Sequence, residues 1–143
     1  MARIDEIHVG DVAELAKTVT ETDIALFAGV TGDFNPVHID QVAAEQSRFK
    51  GRIAHGMLSA GFISAVLGMK LPGTGSIYLS QSLRFTLPVR IGDTVTARVE
   101  VLEVLATKRR VRLATICRNQ NGDVVVDGEA VVMIEKTTRG EGS

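Results

Sequence analysis

The residues best suited to chemistry fall in two short stretches. Asp33, Asn35 and His38 share the segment Thr31-Gly-Asp-Phe-Asn-Pro-Val-His38, where Gly, Asp, Asn and Pro break a helix and bend the chain. A carboxylate beside an imidazole is the minimum set for general acid–base work, one group removing a proton and the other delivering one. The same spacing also fits a structural role, with Asp33 capping a turn and His38 bonded to the backbone. The second stretch is Ala54-His-Gly-Met57, at the start of a helical pattern. The first N–H groups of a helix have no internal partner and carry the positive end of its dipole. Gly56 has no side chain to block a carbonyl oxygen that gains charge from resting on its N–H. The plainer reading of that glycine is close packing.

Other polar residues carry weaker signals. Ser59 and Ser64 interrupt an apolar helix and read as bonded to the carbonyl one turn back, and no Gly-x-Ser-x-Gly elbow is present. Gln81 is the one polar member of the face made by Leu79, Leu83, Phe85 and Leu87, and reads as a satisfied core amide or a pocket residue. Asp33, His38, Asp40 and His55 match no metal-ligand spacing, so no metal is expected. Gly73-Thr74-Gly75 is too short for a dinucleotide fingerprint and reads as a turn, so no cofactor is expected.

The elements that must position these residues divide the chain in two. From Val12 to about Lys70 the signals are mixed and helical, and from Ser80 to Glu135 they are those of strands, which predicts an α+β fold. Thr20 and Asp23 form a variant capping box before Ile24, Phe27, Ala28 and Val30, and that helix should stop near Gly32. Apolar residues run all round the segment from Gly56 to Met69, which predicts a buried helix. Leu79–Leu87, Thr94–Val101, Arg110–Arg118 and Val124–Glu135 alternate as half-buried antiparallel strands, with Asn121-Gly122 as a hairpin turn. Four strands in succession suggest a meander with the Gly56–Met69 helix across its open face. The tail Lys136–Ser143 has no large apolar residue and should fray, leaving one domain over residues 1–143.

Composition excludes several function classes. Lys and Arg number 16 against 17 Asp and Glu, so the net charge of −1 supplies no field to draw in nucleic acid or an anionic membrane. Aromatics are 4% and tryptophan is absent, which weakens base stacking as a binding mode. Cys117 stands alone, the N-terminus has acids where an export signal needs an apolar run, and Ile53–Met69 is too interrupted to span a bilayer. A cytoplasmic location is expected.

Longer motifs carry a resemblance. Phe27-Ala-Gly-Val-Thr-Gly-Asp33-Phe-Asn35-Pro-Val-His38-Ile-Asp40 closely resembles the hydratase signature of the (R)-specific enoyl-CoA hydratases, the MaoC-like dehydratases. Arg52-Ile-Ala-His55-Gly56-Met57-Leu58, the run Leu71–Val89 and Gly92-Asp93-Thr-Val resemble the same family in the same order. The resemblance implies a hotdog fold, a long antiparallel sheet wrapped round a central helix. It also implies a homodimer with sheets joined edge to edge, and reversible hydration of trans-2-enoyl-CoA to (3R)-3-hydroxyacyl-CoA. Carried over by position, the catalytic pair falls on Asp33 and His38, the oxyanion donor on Gly56, a supporting polar residue on Asn35 and a site serine on Ser64. Such a base works best if its loop is buried. Lys50, Arg52 and Arg84 are candidates for the phosphates of coenzyme A, and Leu58, Phe62 and Leu67 for the end of an acyl pocket. A hotdog thioesterase acting on the same acyl-CoA, or a non-catalytic acyl-CoA-binding subunit, are the alternatives.

Overall fold

The computed structural model describes residues 1–136; the tail expected to fray, Lys136–Ser143, lies outside them but for its first residue. The elements in order are β1 (Val12–Thr18), α1 (Glu21–Thr31), α2 (Pro36–Ile39), α3 (Gln41–Glu45), α4 (Gly56–Met69), β2 (Ser76–Gln81), β3 (Arg84–Phe85), β4 (Thr94–Leu105), β5 (Arg110–Arg118) and β6 (Val124–Ile134). The capping box at α1 forms as the sequence suggests. Thr20 Oγ1 accepts the Asp23 N–H at 3.1 Å, and Asp23 Oδ2 accepts the Thr20 N–H at 2.9 Å. Lys17 Nζ also donates to Asp23, and this bond is the main cause of a carboxyl held below its usual value. Gly32 ends α1 in the left-handed conformation at φ 80°.

All strands pair antiparallel in the order β1-β4-β5-β6-β2, with β3 also on β6. The expected meander holds for β4, β5 and β6 and fails elsewhere. β1 is a strand within the stretch read as mixed and helical; its inward positions are Ala13, Leu15 and Lys17, only one of them a large apolar residue. The Leu79–Leu87 run splits into β2 and β3 and lies outside β6. The far edge of β4 is already taken by β1, so the only open edge next to the meander is that of β6. Leu79, Phe85 and Leu87 are each about half exposed, so their alternation does not mark a face turned to the core.

The core forms between α4 and the concave face of the sheet. Val95, Ala97, Val99 and Val101 of β4, Val111, Leu113 and Cys117 of β5, and Ala130, Val132 and Ile134 of β6 are buried against Ile63, Val66 and Leu67 of α4. Each such aliphatic side chain contributes about 1.5–3 kcal/mol when taken from water. Burial pushes the Cys117 thiol up to about 12. The expectation of a helix buried all round is corrected. Ser59, Ala60, Ile63, Val66 and Leu67 are buried, whereas Met57, Gly61, Ser64, Gly68 and Met69 are exposed, because the sheet of one chain covers one side of α4.

One close approach fixes where the edge strands cross. A Cβ on Gly128 of β6 would lie 1.8 Å from the Ser82 carbonyl oxygen between β2 and β3. Gly128→Ala is therefore expected to remove about 1–3 kcal/mol of stability, seen as a lower urea midpoint at unchanged slope. An unmoved midpoint would show that the Ser82 backbone steps aside freely.

Candidate active site

The loop after α1 is built from successive side-chain caps. Thr31 Oγ1 donates to the Phe27 carbonyl at 2.7 Å and accepts the Asp33 N–H at 3.2 Å. Asp33 Oδ1 accepts the Asn35 N–H at 3.2 Å, and Asn35 Oδ1 accepts the Val37 N–H at 3.3 Å, which caps α2 behind Pro36. The segment read as a loop thus closes with a helical turn that contains His38. α3 follows because Asp40 Oδ1 accepts the Ala43 N–H. That duty explains Asp40 without any ligand.

The segment preceding α4 is held between this loop and the strand region. The Ile53 N–H donates to the Val37 carbonyl at 3.2 Å, and the Ala54 N–H donates to the Val89 carbonyl at 2.7 Å. His38, 8% exposed, bonds through Nδ1 to the Ile53 carbonyl at 2.8 Å. A carbonyl only accepts, so Nδ1 carries the hydrogen, and the neutral ring keeps its lone pair on Nε2. Arg52 donates from Nε to the His38 carbonyl and from a terminal nitrogen to Glu21, both at 2.7 Å. It thereby joins α2 to α1. Lys50 and Arg84 are exposed.

His55 joins the two stretches. The ring is 2% exposed, stacks on His38 with centroids 3.9 Å apart and planes at 28°, and lies 4.7 Å from the Phe27 ring. Its Nε2–H donates to the Asp33 main-chain carbonyl at 3.0 Å. A carboxylate oxygen of Asp33 and one nitrogen from each histidine lie within 4.8 Å of one another. The carboxylate and imidazole grouped by spacing therefore lie close together, and both structural roles are present as well: Asp33 accepts a backbone N–H in the turn and His38 bonds a backbone carbonyl. Sequence reasoning gave His55 no role of its own. Its place directly before Gly56 was the available signal. The expected burial of Asp33 is not found, since its side chain is exposed.

His38 and Gly56 line one cavity of about 460 Å³, walled largely by Phe49, Phe85, Leu87, Pro88 and Val89. As first residue of α4, Gly56 has an N–H with no intrahelical acceptor. A Cβ there would come within 2.5 Å of the Phe85 ring, so close packing and an open N–H coincide at this residue. Ser64 lies farther along α4 and is exposed; it faces a second cavity of about 470 Å³ with Phe27, Tyr78, Leu79 and Gln81, and Met57 borders both cavities. Leu67 lines a smaller hollow of about 130 Å³ with Ser64, Ser76 and Tyr78, whereas Leu58 and Phe62 pack against the core. Gln81 is a satisfied amide: Nε2 donates to Thr115 Oγ1 at 2.9 Å and to the Ser82 carbonyl at 2.7 Å, and the Tyr78 hydroxyl donates to Oε1.

Comparison with known proteins assigns the family, because the MaoC like domain matches residues 8–122. The chain belongs to the MaoC-like domain family. Among its MaoC-like relatives is the (R)-specific enoyl-CoA hydratase of Rhodospirillum rubrum, 55% identical over 130 residues that make up 91% of this chain and 90% of the relative. The R-hydratase PhaJ1 from Pseudomonas aeruginosa, in its unliganded form, superposes with a TM-score of 0.88 at 51% identity, covering 94% of this chain and 86% of that one. The (R)-hydratase from Aeromonas caviae involved in PHA biosynthesis superposes at 0.87 and 46% identity, covering 90% and 97%. The sheet about α4 is accordingly the hotdog fold. No helix among the described residues is long and apolar enough to cross a membrane.

The capping role of Asn35 is separable from any contact with a ligand. Asn35→Ala should lower stability by about 0.5–2 kcal/mol and Asn35→Asp, which keeps the acceptor, by much less, as measured by thermal melting. Equal melting temperatures for the two variants would show that the α2 cap contributes nothing.

Proposed function

We propose that the protein catalyses the reversible syn hydration of a trans-2-enoyl-CoA to the (3R)-3-hydroxyacyl-CoA. The observation that carries this reading is the convergence of Asp33, His38 and His55 within 4.8 Å, beside a cavity that His38 shares with the first N–H of α4. The names of the relatives support the substrate class.

The chemistry follows from the thioester. Conjugation makes Cβ electrophilic, and attack there drives charge onto the thioester oxygen. Asp33 holds a water and takes its proton as the oxygen bonds to Cβ. His38, whose lone pair sits on Nε2, accepts the water's other O–H and holds it in place, and the proton that Asp33 takes from the water is the one passed to Cα on the same face, so Asp33 ends as the carboxylate it began. Gly56 N–H meets the oxyanion, with the α4 dipole behind it. Positioned acid–base groups supply about 10²–10⁴-fold and an oxyanion donor about 10²–10³-fold, so the two must act together. Asn35 keeps the loop in shape, and Ser64 borders the acyl end of the substrate. In this reading residues 1–143 form one hydratase domain in the cytoplasm, with no metal or other cofactor.

The same reading makes the protein a homodimer. β2 ends the sheet, and its Tyr78 and Leu79, with Met57 of α4 on the same cavity, are exposed, which leaves an apolar edge for a second copy. Leu79→Arg should convert a dimer to a monomer in sedimentation velocity. A monomeric parent protein would remove the dimer.

With crotonyl-CoA, the protein should bleach the conjugated-enoyl absorbance without releasing thiol and form the 3R product on chiral analysis. Release of thiol would turn the reading to a thioesterase, and no change in either signal to a binding subunit. Asp33→Asn preserves the oxygen that accepts the Asn35 N–H, so it should keep the fold while lowering hydration by about 10²-fold or more. Near-full activity in that variant would remove Asp33 from the mechanism.

A further inference from the structure

We propose that His55 is the positioning residue of this site, one side chain that sets where Asp33 and His38 stand relative to each other. The inference rests on the hydratase reading. Its Nε2–H holds the Asp33 carbonyl at 3.0 Å, and its ring face backs the His38 imidazole at 3.9 Å. The two groups it touches are otherwise anchored separately. Asp33 is fixed by the caps that follow α1, and His38 by the Ile53 carbonyl. Asp33 is exposed, so packing alone does not fix its backbone, and the His55 bond is a direct tie from that backbone to the start of α4.

One nitrogen of the imidazole brings a cost in stability. Nδ1 of His55 is buried and has no hydrogen-bond partner among the described residues. A buried acceptor left unpaired is a penalty that a Leu or Phe of similar size would avoid. Although His55 occupies the N-cap of α4, its side chain makes no capping bond. Among the described residues the one hydrogen bond of the ring goes to Asp33, so the polar character of the residue serves the loop that carries the base. Since reacting groups displaced by about 1 Å lose roughly 10²-fold in rate, a tie of this kind governs turnover more than substrate affinity.

The test is steady-state hydration of crotonyl-CoA by the full-length protein and three variants, with thermal melts alongside. His55→Phe keeps a ring against His38 but has no donor. His55→Gln places an amide N–H near the position of Nε2, and His55→Asn near that of Nδ1. The Phe variant should lose about 10–100-fold in kcat with KM within about threefold of the parent and a melting temperature equal or higher. Gln should retain at least about tenfold more kcat than Asn. If Phe holds kcat within twofold of the parent, or if Asn equals or exceeds Gln, His55 is a packing residue and the proposal falls. Should the Phe variant fail to fold, the order of Gln and Asn decides. A parent protein that does not hydrate crotonyl-CoA overturns the hydratase reading itself, a result distinct from an active parent whose His55 variants are unchanged.

Discussion

The hydrogen bond from His38 Nδ1 to the Ile53 carbonyl is the constraint on which the site depends. It joins the loop after α1 to the segment that feeds α4, and it settles which ring nitrogen holds the lone pair. The bond does not act alone. Ile53 returns a hydrogen bond to Val37, Ala54 bonds to Val89, and Arg52 reaches both the His38 carbonyl and Glu21. Most of these contacts are backbone groups or are shielded from water, where a hydrogen bond lost leaves a partner without replacement. The loop with Asp33 and the helical turn with His38 are thus tied to the segment before α4.

This arrangement separates two duties. The sheet and the buried half of α4 supply stability through aliphatic contacts, none of which involves a residue assigned to the proposed chemistry. The polar groups gather at the N-terminal end of α4, outside the aliphatic core. There the side chains serve each other as well as the proposed reaction: Asp33 accepts from the Asn35 N–H, Asn35 accepts from the Val37 N–H, and His38 donates to the Ile53 carbonyl. Structural and chemical readings of such residues are therefore not rivals. A catalytic loop in water must be preorganised by something, and here its own polar residues do part of that task.

The sequence was most informative where one local rule acted alone. The Thr20/Asp23 box, the Gly32 stop, the α4 limits and the alternation in β4 and β5 each follow from a short-range pattern, and the structure keeps all of them. Legibility failed where neighbours in space decide. β1 has too few large apolar residues to announce itself and becomes a strand because β4 offers a free edge. Leu79, Phe85 and Leu87 alternate like core residues yet line cavities or an exposed edge. Within the site, the closeness of Asp33 to His38 was readable from spacing. The contact of either with His55 was not, because it depends on a segment far along the chain being folded back against the loop.

Cys117 shows what burial between β5 and α4 means for the life of the protein. Its sulfur faces the Ser59 carbonyl at 3.7 Å, and burial pushes the thiol up to about 12, which disfavours the thiolate. Peroxides and mixed disulfides attack thiolates, so this protein meets oxidative stress with its one sulfhydryl effectively sealed. Redox damage would have to wait for the chain to open.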